Sequence, residues 1–383
     1  MTMRNEETFR PDESQRRVIG AYNGYHLVLA PPGCGKTQIL TERIQHAHVE
    51  YGVEYEDMLC LTFTNRAARG MLERIRAYID DANVEKVFVG NVHRFCSKFL
   101  FEYNLVPAES SIIDEEDAVS IIARYLDEDE MEVMNNTTRR RTYDEIVHFS
   151  HFMHQIIHRH PKGLRLHPEC VNSDDIVAMK NICDVRQMAF DADGMGDIYE
   201  QSDFYMLQFD TEEHDYGERQ VIGRLLRKMK LARQYHDYKQ QNKLLDFEDL
   251  LILTYDALMD ERFRLLTAKF YRWIQVDEVQ DLNPLQLAII DAITDRDSKF
   301  TVMYLGDEQQ AIFSFMGAKV STLDSLRQKC AKNLHHLYVN HRSPKYLLEV
   351  FNEYAITVLN IPRTLLPKAN NVTDATGKEL RIL

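Results

Sequence analysis

Along the first hundred residues, short apolar runs alternate with longer stretches whose apolar positions recur every three or four residues. HLVLAP (26–31), DMLCLTF (57–63) and KVFVG (86–90) read as buried strands, each followed by a polar segment of helical period. Strands separated by helices predict a parallel sheet with crossover helices. From about 101 to 216 the pattern changes: strand signals become rare, and acidic and histidine-bearing segments dominate. The stretch from Gly217 to Leu253 then reads as a long helix, a break near Leu244 and Leu245, and a second helix. Strand signals return at YRWIQVDE (271–278), KFTVMYLGD (299–307) and LHHLYVN (334–340). The expected organisation is a sheet domain in two segments, 1–100 and 217–335, interrupted by a mostly α-helical insertion at 101–216. Residues 336–383 are expected to begin a further, truncated domain.

Composition narrows the class. The 383 residues suffice for two or three domains, and 44% hydrophobic with 28% charged residues is ordinary for a soluble globular chain. No run of eighteen apolar residues is present and the polar N-terminus lacks a secretory core, so no membrane partner is expected. Six scattered cysteines fit neither a disulfide framework nor paired zinc knuckles, which points to reduced thiols and a cytoplasmic location. The formal net charge of −14 argues against a histone-like binder. A local groove can still hold a phosphate backbone, because exposed charges are screened beyond about 10 Å.

The first candidate chemistry is APPGCGKT (30–37), which follows a strand and opens a helix. Gly33 and Gly35 let backbone N–H groups turn inward on phosphate oxygens. Lys36 would reach the β- and γ-phosphates and Thr37 would hold Mg²⁺, with the helix N-terminus adding its dipole. Ala30 stands where the general pattern has glycine. A phosphate loop needs an acidic partner at another strand end, and IQVDEVQD (274–281) supplies one. Asp277 would bind Mg²⁺ through its water shell and Glu278 would accept a proton from the attacking water. An Asp-Glu pair after a strand, taken alone, is also what a solvated loop looks like.

Taken in order, these and further motifs resemble superfamily 1 DNA helicases of the UvrD/Rep type. DESQ (12–15) resembles the family's adenine-reading glutamine motif at Gln15, and APPGCGKT its phosphate loop, placing Pro32, Gly33, Cys34, Gly35, Lys36, Thr37 and Gln38 around the nucleotide. LTFTNRAARGMLERI (61–75) resembles "TFTNKAA", VGNVHRF (89–95) "GTFHSF", LDFEDLL (245–251) "DFDDLL", VDEVQDLN (276–283) "VDEFQDTN", LGDEQQAIFSFMGA (305–318) "VGDDDQSIYGFRGA", and VNHRS (339–343) "QNYRS". The resemblance implies a P-loop NTPase fold with a RecA-like parallel sheet and flanking helices, an accessory helical domain in the insertion, and the start of a second RecA-like domain from 336.

ATP and Mg²⁺ are the implied cofactors, with Lys36, Glu278, Gln310 and Arg342 catalytic. Gln15 offers both a donor and an acceptor to the adenine edge. His341 stands where the family stacks a tyrosine on the base. Thr62, Phe63, Thr64, Asn65, Arg66, His93 and Phe315 are the implied contacts to single-stranded DNA or a single-strand/duplex junction. The phenylalanines could serve as stacking platforms or as ordinary core, and Asp246, Phe247 and Asp249 as a helix cap with a core residue. The family's arginine after the phosphate-loop threonine is Gln38 here, and its motif-three arginine is Met316.

Two features stay outside the resemblance. TTRRRT (137–142) is a compact basic spot that reads as a backbone contact or as a solvated loop. HFSHFMHQIIHRH (148–160) puts several histidines at helical spacing, which suggests surface histidines packing on neighbours or, with Cys170 and Cys183 downstream, a zinc site whose spacing fits no standard pattern. The functional expectation is the N-terminal motor portion of an ATP-dependent 3′-to-5′ DNA helicase or translocase. The rival is a nucleotide- and single-strand-binding module without autonomous activity. The family's later motifs are absent from the sequence, so a missing C-terminal motor domain or a partner chain is expected to be needed.

Overall fold

The computed structural model describes residues 10–211, 216–261, 271–294, 299–307 and 320–369. They fall into two compact units, one of Met1–Phe95 with Ala268–Leu383 and one of Cys96–Thr267.

The first unit is built on strands β1 (Gly24–Leu29), β2 (Met58–Leu61) and β3 (Phe88–Gly90) from its first segment. The strand pair β4 (Ser111–Ile112) and β5 (Leu244–Leu245) belongs to the second unit. The later segment supplies β6 (Trp273–Val276), β7 (Thr301–Gly306), β8 (Leu334–His336), β9 (Val339–Asn340) and β10 (Lys368–Ala369). Six strands form one sheet in the order β3-β2-β6-β7-β1-β8, and every pairing is parallel. β6 and β7 sit between β2 and β1, so the sheet closes only when the chain returns from the second unit. β2, β6 and β7 are buried at every position, as strands covered on both faces must be. Helices α1 (Glu13–Ile19), α2 (Lys36–Tyr51) and α3 (Asn65–Tyr78) belong to this unit, and α4 (Val92–Glu102) runs on past its boundary. Ile39, Leu40, Ile44, Met71 and Ile75 meet Val28, Cys60, Trp273, Met303 and Leu305 in its core.

The expected single strand at 334–340 is two. Leu337 N–H still donates to Leu29 O at 3.0 Å, but β9 leaves the sheet to pair with β10. The described part of 336–369 groups with the first unit and not as a separate body.

Two polar groups are buried beneath α1 and β1. The Arg43 guanidinium donates to the carbonyls of Val18, Ile19 and Ala21 and lies 4.6 Å over the Trp273 ring. It thereby satisfies carbonyls at the end of α1 that a helix leaves open. His26 lies 3.1 Å from Asn23 O through Nε2 and 3.2 Å from His335 Nε2 through Nδ1. Burial, then Arg43 and His335, push His26 down to about 4. The unfolded chain therefore takes up this proton first as pH falls. The contribution is complete above pH 6.5 and is lost as pH falls towards 4, up to about 3 kcal/mol. Urea unfolding followed by Trp273 fluorescence should show that loss between pH 7 and pH 4, and His26→Gln should flatten it. An unchanged slope in His26→Gln would refute the assignment.

The second unit is helical: α5 (Glu115–Tyr125), α6 (Glu130–Asn135), α7 (Thr137–Ile157), α8 (Ser173–Val185), α9 (Ala192–Glu200), α10 (Ser202–Thr211), α11 (Tyr216–Asn242) and α12 (Phe247–Met259). Here the grouping departs from the expected boundary at 216. Ile222, Leu225, Leu226, Met229, Ala232 and Tyr235 form one stripe of α11, and that stripe is buried with Val119, Ile122, Phe149, Met153 and Ile182 of the insertion. The anticipated break is present: Lys243 takes φ +54°, β5 pairs with β4, and Asp246 caps α12 in a reciprocal box with Asp249.

TTRRRT opens α7, and two of its three arginines already have carboxylate neighbours: Arg139 lies 3.3 Å from Glu128 and 3.4 Å from Glu132, and Arg140 lies 3.9 Å from Glu116. The histidines that follow are not all on the surface. His151 and His160 are buried, because each has a carboxylate to bond inside the unit. The six cysteines are free and buried, and no helix among the described residues is long and apolar enough to cross a membrane.

Candidate functional site

In parallel α/β sheets, ligands bind beyond the carboxyl ends of the strands. Apart from Gln15 in α1, the described residues singled out in the first unit follow the ends of β1, β2, β3, β6 and β9. After β1 the chain turns through 30–35 into α2. Gly33 and Gly35 take φ +80° and +81°. A Cβ on Gly33 would lie 2.6 Å from Asn340 Nδ2, and one on Gly35 would lie 2.9 Å from Gln15 Nε2, so both backbone angle and space demand glycine. α2 has no side-chain cap, which leaves its first N–H groups to an anion. Lys36 Nζ donates to Ala30 O at 3.2 Å and lies 3.9 Å from Glu278 Oε1, folded back along the loop. Thr37 is half-buried in the first turn of α2. Cys34 is buried, and burial pushes its thiol up to about 12, so it is no nucleophile. Gln38 donates to Glu42 at 3.0 Å along the helix surface.

The acidic edge follows β6. Asp277 is buried and accepts from Glu278 N–H at 3.1 Å. Glu278 takes the left-handed conformation, φ +53°, which costs a non-glycine residue about 1 kcal/mol or more and is typical of functional positions. Gln280 holds this carboxylate: its Nε2 donates to Glu278 Oε2 at 2.7 Å while its Oε1 accepts from Asp307 N–H at 3.1 Å. Asp281 lies in the same turn, with Oδ1 buried and without a hydrogen-bond partner among the described residues. Burial, and next the charge of Glu278, push both Asp277 and Asp281 up to about 6, against the pull of Lys36. Three carboxylates thus face one lysine in a poorly hydrated turn. That surplus of oxygen ligands and negative charge is what a Mg²⁺ ion offsets. Gln280 and Asp281 were not singled out from the sequence, although both stand inside the quoted VDEVQD; their burial and bonding are what distinguish them.

At the opposite side of the loop, Gln15 is almost fully buried. Its Oε1 accepts from Asp12 N–H at 3.0 Å, its Nε2 donates to Cys34 O at 3.2 Å, and His341 Nε2 is 3.3 Å away. One lone pair of Oε1 is left for a base edge. His341 is exposed, lies 3.4 Å from Asp12 Oδ2, and donates its backbone N–H to Gly33 O at 2.8 Å. Asn340, also missed in the sequence, ties this segment down: Nδ2 donates to Pro32 O at 2.8 Å, and Oδ1 accepts from Arg342 N–H at 2.9 Å and Ser343 N–H at 2.7 Å. Arg342 is exposed.

The implied DNA contacts lie along the ends of β2 and β3, which are paired through Leu61 and Gly90. Thr62 is buried, and its hydroxyl donates to Thr64 O at 3.0 Å. The Thr64 hydroxyl caps α3 by accepting from Ala67 N–H at 3.1 Å. Asn65 and Arg66 are exposed, and Phe63 and His93 are half-buried. A half-buried Phe63 suits a platform as well as a core edge. Gln310, Phe315 and Met316 lie outside the described residues.

Comparison with known proteins gives one coherent answer. The family model for the UvrD/REP helicase N-terminal domain matches residues 12–331. The chain is similar to the "ATP-dependent DNA helicase srs2" of Schizosaccharomyces pombe, 24% identical over 343 residues, covering 88% of this chain and 34% of that protein. It is similar to "DNA helicase II" of Haemophilus influenzae, 25% identical over 352 residues, covering 89% and 40%. It is also similar to the "ATP-dependent DNA helicase PcrA" of Staphylococcus aureus, 25% identical over 349 residues, covering 88% and 39%. The chain therefore spans well under half the length of these curated relatives.

Proposed function

The chain belongs to the UvrD/REP helicase family, whose N-terminal domain it carries, and from that premise we propose that it binds MgATP at its phosphate loop and hydrolyses it in response to single-stranded DNA. The carrying observation is Lys36 at 3.9 Å from Glu278 across the ends of β1 and β6, with the buried Asp277 accepting the Glu278 N–H beside it.

In this reading the N–H groups of 33–37 and the Lys36 ammonium hold the β- and γ-phosphates. Thr37, and Asp277 through a water shell, would hold Mg²⁺, which would supply positive charge against the phosphates. Incoming phosphate draws Lys36 away from Ala30 O. Glu278, fixed by Gln280, orients the attacking water and takes its proton. Gln280 also bonds to Asp307 N–H, so the base is tied to the strand that leads to Gln310. Gln15 and His341 receive the adenine, and Arg342 approaches the γ-phosphate. Phe63, Thr64, Asn65, Arg66 and His93 form one wall of a single-strand path; Phe315 enters this reading from its sequence motif alone. Movement is 3′-to-5′, as in the family, and inside the cell.

The matched relatives are far longer than this chain, and that observation supports a second reading, a binding module that does not turn over ATP by itself. A second cationic finger is worth about 10³–10⁵ in rate in related NTPases. The test is ATP hydrolysis by the 383-residue chain with and without an oligothymidylate strand, alongside binding of a fluorescent ATP analogue with Mg²⁺. At least tenfold stimulation by the strand is expected. Nucleotide binding with a flat response would establish the module, and absence of nucleotide binding would refute both readings.

A further inference from the structure

The helical unit holds two groups of histidines and carboxylates whose ligand atoms converge. One is His151, Asp246 and Glu248; the other is His154, His158 and Asp256. The first already contains a cation. Lys239 Nζ lies 2.6 Å from Asp246 Oδ2, 2.6 Å from Asp249 Oδ2 and 3.4 Å from His151 Nε2, and the group is buried. The second group has no lysine or arginine among the contacts described for it, and it is open to solvent at His158.

We propose that His154, His158 and Asp256 form a binding site for a divalent transition-metal ion of the Zn²⁺ class, with water completing a four-coordinate shell. The three ligand atoms lie within 4.8 Å of one another, and His154 Nε2 is 3.5 Å from Asp256 Oδ2. Ligand atoms about 2.0–2.2 Å from a tetrahedral Zn²⁺ stand roughly 3.3–3.6 Å apart, so the second spacing needs little adjustment. His154 lies in the last turn of α7 and His158 caps its end; their rings stack at 4.1 Å, so one ring turns about its Cβ–Cγ bond to bring both nitrogens onto one ion. Asp256 comes from α12, so the ion would join two helices of the same unit.

The surroundings supply the outer bonding that metal sites require. Leu166 N–H donates to Gln155 Oε1 at 2.7 Å, which fixes the amide orientation. Gln155 Nε2 then faces His160 Nδ1 at 3.1 Å, so Nδ1 accepts and the His160 proton sits on Nε2. That Nε2–H donates to Asp256 Oδ1 at 2.5 Å. Asp256 is thereby oriented by a buried histidine and presents Oδ2 to His154, the carboxylate–histidine support usual around bound metals. Burial, then His154, push His158 below its ordinary value, which favours the neutral imidazole a metal needs. The nearby His236, 6.0 Å from His154 between ring centroids, accepts from Gln240 and stays outside the shell.

The test uses the untagged full chain, stripped with chelator and kept in excess Mg²⁺ so that the carboxylates after β6 are occupied. Titration with Zn²⁺ should give one tight site, and Co²⁺ should develop the strong visible absorption of four-coordinate cobalt. His154→Ala and Asp256→Asn should each weaken binding at least tenfold, and His160→Gln about tenfold. His148→Ala should leave it unchanged, since His148 stacks on His167 instead. Absence of a tight site in the unaltered chain would overturn the proposal. So would a weak six-coordinate cobalt spectrum, or affinity that His154→Ala and Asp256→Asn leave within threefold.

Discussion

Glu278→Gln should lower strand-stimulated ATP turnover by about 10²–10⁴ while leaving nucleotide binding intact. The substitution is close to isosteric. Gln280 Nε2 can still donate to the new amide oxygen as it does to Glu278 Oε2 at 2.7 Å, so the turn and its bond to Asp307 persist. What disappears is the carboxylate that, on the proposed reading, takes a proton from water. A charge disappears too, and its effect on binding has a definite sign. Glu278 is the second cause, after burial, of the upward shift of Asp277 and Asp281 to about 6. Without it both ionise more readily, so the affinity for MgATP should hold or rise as the rate collapses. Parallel hydrolysis and analogue-binding assays give the two numbers. A proportional loss of both would mean that Glu278 is structural.

Asp246→Ala should destabilise the helical unit by about 4 kcal/mol or more. The carboxylate accepts from His151 Nε2, from Lys239 Nζ at 2.6 Å, from Tyr235 OH at 2.6 Å and from Asp249 N–H at 2.9 Å. Its removal strands a buried ammonium on Asp249 alone, leaves His151 Nε2–H unsatisfied and uncaps α12. The two units can be read separately. Trp273, the single tryptophan, reports the sheet unit, and far-ultraviolet circular dichroism is dominated by the helices. The dichroism midpoint in urea should move to lower concentration while the tryptophan transition stays. A shift worth under 1 kcal/mol would show that the network is dispensable. Asp246→Asn keeps a good cap, so the difference between the two variants isolates the ionic part.

The sheet was legible because its strands are short, mostly apolar runs between segments of helical period. Those runs placed β1, β2, β6 and β7 to within a few residues. The grouping of α11 with the insertion was not legible at 216, because charged residues interrupt its apolar positions along the whole helix; only its stripe from Ile222 to Tyr235 shows which core it joins, and a stripe does not name its partner. The Gly-Lys-Thr turn after β1 and the Asp-Glu pair after β6 stood out in the sequence by residue type and spacing, and the fold brings Lys36 to 3.9 Å from Glu278; that they bind nucleotide is the proposal. Gln280, Asp281 and Asn340 did not stand out, since an amide or an acid in a loop has no period and acquires meaning only from what it touches. The same holds for the histidines. Spacing placed His151, His154 and His158 on one helix, but their division between an ammonium-filled network and an open cluster depends on Lys239 and Asp256, both far along the chain. The left-handed Glu278 leaves no mark in sequence at all.

Asn340 joins two stretches of chain 308 residues apart with one amide. Its nitrogen fastens Pro32, and its oxygen gathers the N–H groups of Arg342 and Ser343. The arginine and the phosphate loop are therefore geared and not merely adjacent. Withdrawing Arg342 either breaks the bond to Pro32 O or drags the loop along with it. A single Asn340→Ala substitution would loosen both ends at once, removing the bond to Pro32 O and those from the N–H groups of Arg342 and Ser343.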